Sequence, residues 1–290
     1  MASAAETLVE ALPYIRRFWG KIAVVKYGGN ALAGTTEHDA LSSFATDIVL
    51  MRLVGMHPVV VHGGGPQISA LMDRLGMAPR FRDGLRITDA ETVDVARMVL
   101  TGLVNPQLVS AINVHGNHAV GISGQDAGLI RADAYDPELG YVGRVAGVNP
   151  EIIHGLIADE FIPVIATIGT DDTGQAYNIN ADTVAGAIAE AVSAEKLVYL
   201  TDIDGLRGGV DDPASLLRRT TADELVRLVD SGVITEGMIP KAHSCIHAVR
   251  NGVHRAHMLD GRIAHVLLLE LFTDAGIGTM IDAGEESASL

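Results

Sequence analysis

The stretch Ile22-Ala-Val-Val-Lys-Tyr-Gly-Gly-Asn30 decides the fold. Its run of β-branched residues predicts a buried strand, which carries Lys26 near its end and then breaks into two glycines. A second copy of the pattern follows at Pro58-Val-Val-Val-His-Gly-Gly-Gly65, and a helical stretch begins at Pro66. Apolar strands that alternate with helices in this way indicate a parallel sheet with helices on both faces.

The two glycine turns also favour a type of chemistry. Glycine turns that lead from a strand into a helix can direct bare backbone N–H groups into one cleft, which suits phosphate or another oxyanion. A cation on the adjacent strand, here Lys26, suits the negative charge of phosphoryl transfer. Glycines after a strand are also ordinary turn residues, so the residues alone leave both interpretations open. Neither turn has the P-loop or Gly-x-Gly-x-x-Gly spacing.

Composition limits the class of protein. A chain of 290 residues, 48% of them hydrophobic, is long enough for one large domain or two lobes. The formal net charge of −15, without a run of Lys and Arg, argues against a nucleic-acid-binding protein. The single cysteine, Cys245, excludes an intrachain disulfide framework and is typical of a reducing compartment. With no 18-residue apolar run and no basic leader, we expect no membrane span and a cytoplasmic location.

Apolar periodicity and turn residues predict the elements along the chain. Capping boxes at Thr88/Glu91 and Thr221/Glu224 start two of the helices, and Pro13 should kink the first. Residues 133–149 are expected to form an excursion or hairpin, and the last three short strands to finish a second sheet region. The predicted helices cover 4–19, 41–54, 66–75, 89–103, 106–114, 181–192, 222–231 and 238–250; the predicted strands cover 22–27, 58–61, 119–122, 161–168, 197–202, 256–259, 265–269 and 279–281.

Several polar residues stand near predicted helix starts. Arg86 precedes one start, where its planar fork could clamp a carboxylate, and Lys241 lies in the first turn of another, where it opposes the helix dipole. Asn180 and Asp182 fit helix caps, but alternation with Asn178 could also direct them into a cleft. A surface arginine, an exposed lysine and plain caps remain open as alternatives. His243 and His247 share a helix face, yet no Glu completes a zinc motif, so no protein-bound metal is predicted.

Taken in order, six motifs resemble those of the amino acid kinase superfamily, and within it the acetylglutamate kinases. Each motif alone is weak, but their order over residues 21 to about 282 is specific. The resemblance implies a three-layer αβα sandwich with a mainly parallel central sheet and two lobes. The motifs are Lys26-Tyr-Gly-Gly-Asn30, His62-Gly-Gly-Gly65, Gly84-Leu-Arg-Ile-Thr88, Asn178-Ile-Asn-Ala-Asp182, Leu200-Thr-Asp-Ile-Asp-Gly205 and Gly237-Met-Ile-Pro-Lys241.

The resemblance also implies an activity, the ATP-dependent phosphorylation of the side-chain carboxylate of N-acetyl-L-glutamate in arginine biosynthesis. Residues 1–20 would form a helix for oligomerisation or regulation, 21–192 a lobe for the acceptor, and 193–290 a lobe for ATP. By matching position, Lys26 and Lys241 would steady the phosphoryl group and Asp182 would hold both lysines; Gly64, Gly65, Arg86 and Asn178 would bind the acceptor; Gly28, Gly29, Asp202, Asp204, Gly205, Leu206 and Thr235 would bind the nucleotide, with Mg²⁺ carried on its phosphates.

Two further stretches resemble the extension of arginine-inhibited, hexameric members of the family. They are Tyr14-Ile-Arg-Arg-Phe-Trp-Gly20 and Glu270-Leu-Phe-Thr-Asp-Ala-Gly-Ile-Gly-Thr279. In such relatives the N-terminal helix is exchanged between dimers and arginine binds beside it. The resemblance therefore implies a homohexamer, a trimer of dimers, with L-arginine as an inhibitor. The candidate effector residues are Tyr14, Glu270, Gly276 and Gly278.

Three alternatives compete with this interpretation. Another kinase of the superfamily could act on aspartate, carbamate or UMP, but Arg86 and the Asn178/Asp182 spacing argue against it. A fused acetylglutamate synthase would need an acetyltransferase domain, for which the chain has no room. A catalytically inactive arginine sensor would not need both lysines. Departures such as Asn105-Pro106 and Ser123-Gly-Gln-Asp126 do not touch the proposed chemistry.

Overall fold

An eight-stranded sheet runs through the computed structural model, which describes residues 4–28, 37–209, 215–234, 238–273 and 276–284. The predicted site residues Gly29 and Thr235 lie outside these ranges. The helices are α1 (Ala4–Phe18), α2 (Glu37–Leu53), α3 (Gly65–Arg74), α4 (Ala90–Val99), α5 (Asn105–Asn113), α6 (Glu151–Ala158), α7 (Ala181–Ala191), α8 (Ala222–Asp230), α9 (Ile239–Arg250) and α10 (Val266–Phe272).

The strands divide into the large sheet, a hairpin and a small barrel. The large sheet has the order β12-β14-β13-β11-β1-β2-β8-β5, the barrel joins β10, β7, β6 and β9, and β3 pairs with β4. The strands are β1 (Ile22–Tyr27), β2 (His57–His62), β3 (Phe81–Arg82), β4 (Leu85–Arg86), β5 (Ala119–Ser123), β6 (Ile130–Ala134), β7 (Val142–Val148), β8 (Ile162–Ala166), β9 (Ile168–Thr170), β10 (Ala176–Ile179), β11 (Lys196–Thr201), β12 (Arg219–Thr221), β13 (Arg255–Asp260) and β14 (Thr279–Asp282).

Strand β1 lies in the middle of the large sheet, between β11 and β2, and is parallel to both. Among the paired strands of this sheet, only β13 and β14 run antiparallel. Val25 faces a core with Phe44 of α2, whereas Val24 faces a second core with Val184 of α7. Helices therefore cover both faces, and the predicted three-layer αβα fold with a mainly parallel sheet is confirmed.

The segment predicted as two helices over 89–103 and 106–114 is one continuous helix from Ala90 to Asn113. Residues Leu100–Val104 form a π turn inside it, where Asn105 N–H donates to the Leu100 carbonyl, five residues earlier. This wider turn precedes Pro106, so the helix passes the proline without a break. Within the described chain this is the one helix long and apolar enough to cross a membrane. That is weak evidence for a membrane span, because the helix packs on β5 and β8 as the core helix of a globular domain does.

Three other predictions about elements were wrong. The strand predicted over 265–269 is instead the N-cap His265 and the first turn of helix α10. An unbroken apolar run does not distinguish a buried strand from a buried helix. Strands β13 and β14 extend the large sheet and form no second sheet. Helix α4 is capped by Asp89, whose carboxylate accepts from Thr92 N–H at 2.9 Å, whereas the Thr88 hydroxyl donates to the Arg86 carbonyl.

Smaller differences concern local breaks. Helix α1 continues through Pro13. The predicted strand over 161–168 is two strands, β8 and β9, and β9 turns away to join the small barrel. The excursion or hairpin predicted for 133–149 corresponds to the antiparallel pair β6 and β7, which begins earlier, at Ile130, and forms part of that barrel. The barrel places the end of β10 directly before helix α7, and this junction supplies part of the site described next.

Candidate active site

Two lysines from distant parts of the chain share one carboxylate. Lys26 Nζ, at the end of β1, lies 2.8 Å from Asp182 Oδ1. Lys241 Nζ, in the first turn of α9, lies 2.9 Å from Asp182 Oδ2. Asp182 is buried, which by itself would raise its pKa, but the two ammonium groups outweigh burial and hold the pKa below its ordinary value. The carboxylate is therefore ionised and fixes both cations in one place.

This charged trio lines a cleft of about 270 Å³ at the carboxyl ends of the central strands. Ligands bind at such ends in open α/β sheets, where loops leave the strands. Of the residues predicted to bind substrate or nucleotide, the cleft is lined by Gly28, Gly64, Gly65, Arg86, Asn178 and Asp202, together with Lys26, Asp182 and Lys241. The structure thus brings together most of the predicted catalytic and acceptor residues.

The second glycine turn leads straight into helix α3 in the cleft wall. Gly64 is the N-cap of α3, and no side chain among the described residues caps it. The first intrahelical bond runs from Ile68 N–H to the Gly64 carbonyl at 2.8 Å, so the preceding N–H groups have no partner within the helix. The positive end of the helix dipole and these N–H groups make this wall suited to an anion.

Arg86 lies on the same side of the cleft and is buried. Its Nη2 donates to the Gly65 carbonyl at 2.9 Å and to Ser69 Oγ at 2.8 Å. The guanidinium stands over the Phe81 ring, 4.6 Å from its centroid. Burial lowers the pKa of Arg86, yet an arginine stays charged. No carboxylate among the described residues lies within ion-pair distance of it, so this buried cation is held by neutral groups and can take an anionic ligand.

Asn178 and Asn180 divide the two functions that the sequence left open for them. Asn180 is the N-cap of α7, and its side-chain oxygen accepts from Asp182 N–H at 2.8 Å and from Thr183 N–H at 3.2 Å. Asn178, on β10, lines the cleft, and its side-chain amide has no hydrogen bond within the described part of the chain. Asn178 is therefore available to a ligand, whereas Asn180 is a structural cap.

The predicted nucleotide residues are more scattered. Asp202 lines the cleft, and the backbone of Gly28 lies against the Lys26 ammonium, so that a methyl group at position 28 would be 3.0 Å from Nζ. Asp204 pairs with Arg207 at 2.9 Å, outside the cleft lining. Gly205 has a φ of +141°, which favours glycine. Leu206 is buried in the core, and its N–H donates to Thr279 Oγ1 at 2.8 Å.

A second polar cluster surrounds the predicted effector residue Glu270 and reaches the amino end of β11. Its Oε1 lies 2.8 Å from His257 Nδ1, and its Oε2 accepts from Ile277 N–H at 2.8 Å. His257 Nε2 in turn lies 3.0 Å from Lys196 Nζ, which stands over the Phe18 ring of α1. Burial lowers the pKa of Lys196 to about 8 and that of His257 to about 4.

Lys196 and His257 were not predicted from the sequence, because each is a single polar residue within an otherwise apolar strand. Of the other predicted effector residues, Tyr14 packs against the apolar core beside α1. The Gly276 carbonyl accepts from Arg218 Nη1 at 2.8 Å. Gly278 has a φ of +84°, and a methyl group there would lie 2.2 Å from the Met258 carbonyl oxygen, so only glycine fits.

Comparison with known proteins agrees with the geometry. The amino acid kinase family model matches residues 21–260. Acetylglutamate kinase from Symbiobacterium thermophilum is 52% identical over 286 residues, which cover 96% of this chain and 97% of that protein. Acetylglutamate kinase from Methanosphaera stadtmanae is 48% identical, with 96% of each chain covered.

Solved structures give the same fold. N-acetylglutamate synthase from Neisseria gonorrhoeae, complexed with coenzyme A and N-acetyl-glutamate, has a TM-score of 0.84 and 28% identity. The same synthase complexed with coenzyme A and L-arginine has a TM-score of 0.82 and 27% identity. The match covers 98% of this chain but 64% of the synthase in the first complex and 66% in the second, so the chain spans about two thirds of that protein. The family match and the full-length relatives show that the chain belongs to the amino acid kinase family, in the group of acetylglutamate kinases.

Proposed function

We propose that this kinase transfers the γ-phosphoryl group of ATP to the side-chain carboxylate of N-acetyl-L-glutamate, forming N-acetyl-L-glutamyl 5-phosphate in arginine biosynthesis. The observation that carries the proposal is the pair of lysines on Asp182, in a cleft shared with the Gly64–Gly65 turn and Arg86. Acetylglutamate kinases that are about 50% identical to this chain over nearly its full length support the choice of acceptor.

The chemistry follows from charge. A side-chain carboxylate with an ordinary pKa of about 4.3 is already ionised at pH 7, so the acceptor needs no general base. The obstacle is the repulsion between this carboxylate and the anionic phosphates of ATP. Lys26 and Lys241 reduce that repulsion and stabilise the transferring phosphoryl group, and Asp182 keeps both ammonium groups fixed before the substrates arrive.

We assign the acceptor to the wall formed by Gly64, Gly65, Arg86 and Asn178. Arg86 would bind the α-carboxylate of the acceptor, since Arg86 is buried and has no acidic partner among the described residues. The free N–H groups at the start of α3 would face the reacting oxygens. The unpaired amide of Asn178 would bind a further polar group of the acceptor.

ATP would bind on the opposite side, over residues 193–290, while residues 21–192 hold the acceptor. This division is supported by the sheet order, because β11, β13, β14 and β12 all lie on one side of β1. The proposed nucleotide-binding residues are Gly28, Gly29, Asp202, Asp204, Gly205, Leu206 and Thr235. Mg²⁺ would be carried on the phosphates and would neutralise part of their charge. Of the two carboxylates lining the described cleft, only Asp202 is not already paired with lysine, which fits a metal held mainly by the nucleotide.

The decisive experiment measures ADP release by the purified protein with N-acetyl-L-glutamate, and with L-aspartate, carbamate and UMP as alternative acceptors. L-glutamate, which lacks the acetyl group, is the matched control. We expect ADP release with N-acetyl-L-glutamate and with none of the other acceptors. Turnover with another acceptor would assign a different kinase of the family, and no turnover with any acceptor would favour an inactive sensor.

We also propose that L-arginine inhibits the enzyme and that α1 joins three dimers into a hexamer. Val9, Leu12 and Trp19, on α1 and directly after it, expose between 50 and 68% of their surface, which favours packing against another subunit. Glu270 offers a buried carboxylate for a guanidinium, beside the end of α1. The synthase neighbour was solved with L-arginine, which supports a shared effector.

Both regulatory proposals have direct tests. Activity is measured at rising L-arginine in the wild type and in Glu270→Gln, with D-arginine as the control ligand. Inhibition that weakens at least tenfold in the variant supports the site, whereas millimolar L-arginine without effect on the wild type rejects it. Sedimentation of the full chain and of a form lacking residues 1–20 tests the assembly, since the shortened form should sediment as a dimer.

A further inference from the structure

The π turn at Leu100–Val104 packs against the glycine turn of the acceptor wall. A methyl group on Gly64 would lie 2.8 Å from Leu100 Cδ2 and 3.1 Å from Val104 Cγ2. On the other side, a methyl group on Gly63 would lie 3.2 Å from Ala181 Cβ, the residue before Asp182. The turn is therefore held between the π turn and the start of α7. π turns inside α-helices occur frequently at functional sites.

Directly after the π turn, Asn105 is buried and its side-chain amide reaches the sheet. Asn105 Nδ2 lies 3.0 Å from His62 Nε2 and donates to the Val164 carbonyl at 2.9 Å. Its Oδ1 leaves no room for a side chain on Gly121, since a methyl group there would lie 1.9 Å away. One amide thus contacts β2, β8 and β5, and through His62 it reaches the residue that begins the glycine turn.

The hydrogen bonds of His62 determine its protonation. His62 Nδ1 lies 3.0 Å from the Gly63 carbonyl, which can only accept, so Nδ1 carries the proton. Nε2 is then the acceptor for the Asn105 amide. Burial lowers the pKa of His62 to about 4, so the ring is neutral at pH 7. A continuous chain of bonds runs from Asn105 through the imidazole to the Gly63 carbonyl.

We infer that Asn105 and His62 form a positioning pair that fixes the Gly63–Gly65 backbone in the geometry that binds the acceptor. Neither side chain lines the cleft, so the pair acts through the turn and touches no substrate. The inference rests on the proposed function in that the turn is assigned to the acceptor and not to ATP. It assigns a role to the Asn105-Pro106 step, which the predicted chemistry does not use.

The test uses two variants that remove the same bond. Asn105→Ala removes the donor, and His62→Asn keeps a donor for Gly63 but removes the Nε2 acceptor. Loss of a buried partner should raise the KM for N-acetyl-L-glutamate about tenfold in each variant, with the KM for ATP changed less than about twofold. Because the two residues act as a unit, the double variant should also raise the KM for N-acetyl-L-glutamate about tenfold, whereas two independent residues would raise it about a hundredfold.

Asn113→Ala is the matched control on the same helix. Its side chain accepts from His118 and Ala119 N–H and holds only the start of β5, so its loss should lower stability without changing either KM. Backbone amide exchange at Ile68, whose N–H donates to the Gly64 carbonyl of the turn, gives a readout without substrate, and it should be about tenfold faster in Asn105→Ala and unchanged in Asn113→Ala.

Each result decides. An unchanged acceptor KM with unchanged amide exchange in Asn105→Ala overturns the positioning role, as does a multiplicative effect in the double variant. If Asn105→Ala does not fold, His62→Asn carries both measurements. A wild type without turnover on N-acetyl-L-glutamate would refute the proposed function instead, and amide exchange would then decide the positioning role alone.

Discussion

Lys26 and Lys241 are 215 positions apart in the chain, yet their ammonium groups lie 2.8 and 2.9 Å from the two oxygens of one carboxylate, that of Asp182. The first lysine is the last residue but one of the central strand, and the second lies in the opening turn of α9, where a cation opposes the helix dipole. The carboxylate, itself in the first turn of α7, offsets that cost. The arrangement keeps two positive charges together before an anionic substrate arrives.

Replacing either lysine by alanine should remove transition-state stabilisation on the order of 3 kcal/mol or more, because in the proposed mechanism each ammonium group stabilises the developing charge. We expect kcat/KM to fall at least about a hundredfold in Lys26→Ala and in Lys241→Ala, measured by coupled ADP release. Lys21→Ala, exposed one residue before β1, is the control and should match the wild type. Near-normal turnover in both cleft variants would remove the mechanism.

Asp182→Asn keeps the shape of the side chain but removes its charge. The two ammonium groups would then repel each other without a counter-charge in a largely buried site, so both kcat and stability should fall, kcat by about a hundredfold. Steady-state kinetics and urea unfolding measure the two effects. Asp223→Asn, which breaks an exposed pair with Arg250, should change neither appreciably. Full activity in Asp182→Asn would show that the lysines need no anchor.

Arg86→Lys tests recognition of the acceptor separately from the chemistry. Lysine keeps a charge but loses the fork that bonds Gly65 and Ser69 and the stacking on Phe81, so the KM for N-acetyl-L-glutamate should rise at least about tenfold. The kcat should change much less, since the proposed role of the guanidinium is to bind a carboxylate of the acceptor and not the phosphoryl group. Arg80→Lys, in an exposed pair with Asp89 near the same hairpin, is the control. A lower kcat at unchanged KM would assign Arg86 to the transition state.

Most strands of the large sheet were predictable because they are apolar runs that end in glycine or polar residues. The edge strand β12 is polar, Arg219-Thr-Thr221, and was not predicted. Lys26 was singled out for a related reason, as a lysine near a strand end, whereas the role of Asp182 came from the resemblance, because an Asn-x-Asp step at a helix start fits a plain cap as well. Helix α10 was not predicted as a helix, because its run of Val, Leu and Glu fits a strand as well as a helix. The π turn was not predictable either, since Pro106 normally ends a helix.

Contacts between distant residues explain what was missed in the polar sites. The bond between Lys196 and His257 joins residues 61 apart, and the bond between His62 and Asn105 joins residues 43 apart. No local sequence pattern indicates either pair, and each residue by itself resembles an isolated polar group in a buried strand or helix. Only the sheet register and the helix turn bring them together, so their roles could be argued only from the fold.

His62 also predicts how stability depends on pH. Its pKa is about 4 in the folded state, against an ordinary value of 6.5, so between these values the unfolded chain binds more protons. Stability should therefore fall as pH drops from 6.5 to about 4, by up to about 3 kcal/mol from this imidazole, and should lose no more from it below pH 4. Urea unfolding at a series of pH values, in the wild type and in His62→Asn, measures the difference.

The comparison must isolate this ring, because other groups titrate in the same range. His257, also with a pKa of about 4, adds to the acid loss, whereas burial raises the pKa of Asp47 to about 6 and opposes it. Both remain in His62→Asn, so only the difference between the two slopes belongs to His62. Asn113→Ala, which removes hydrogen bonds but no titratable group, provides the control and should keep the wild-type slope. Parallel curves for wild type and His62→Asn between pH 6.5 and 4 would mean that the imidazole is not buried in its neutral form.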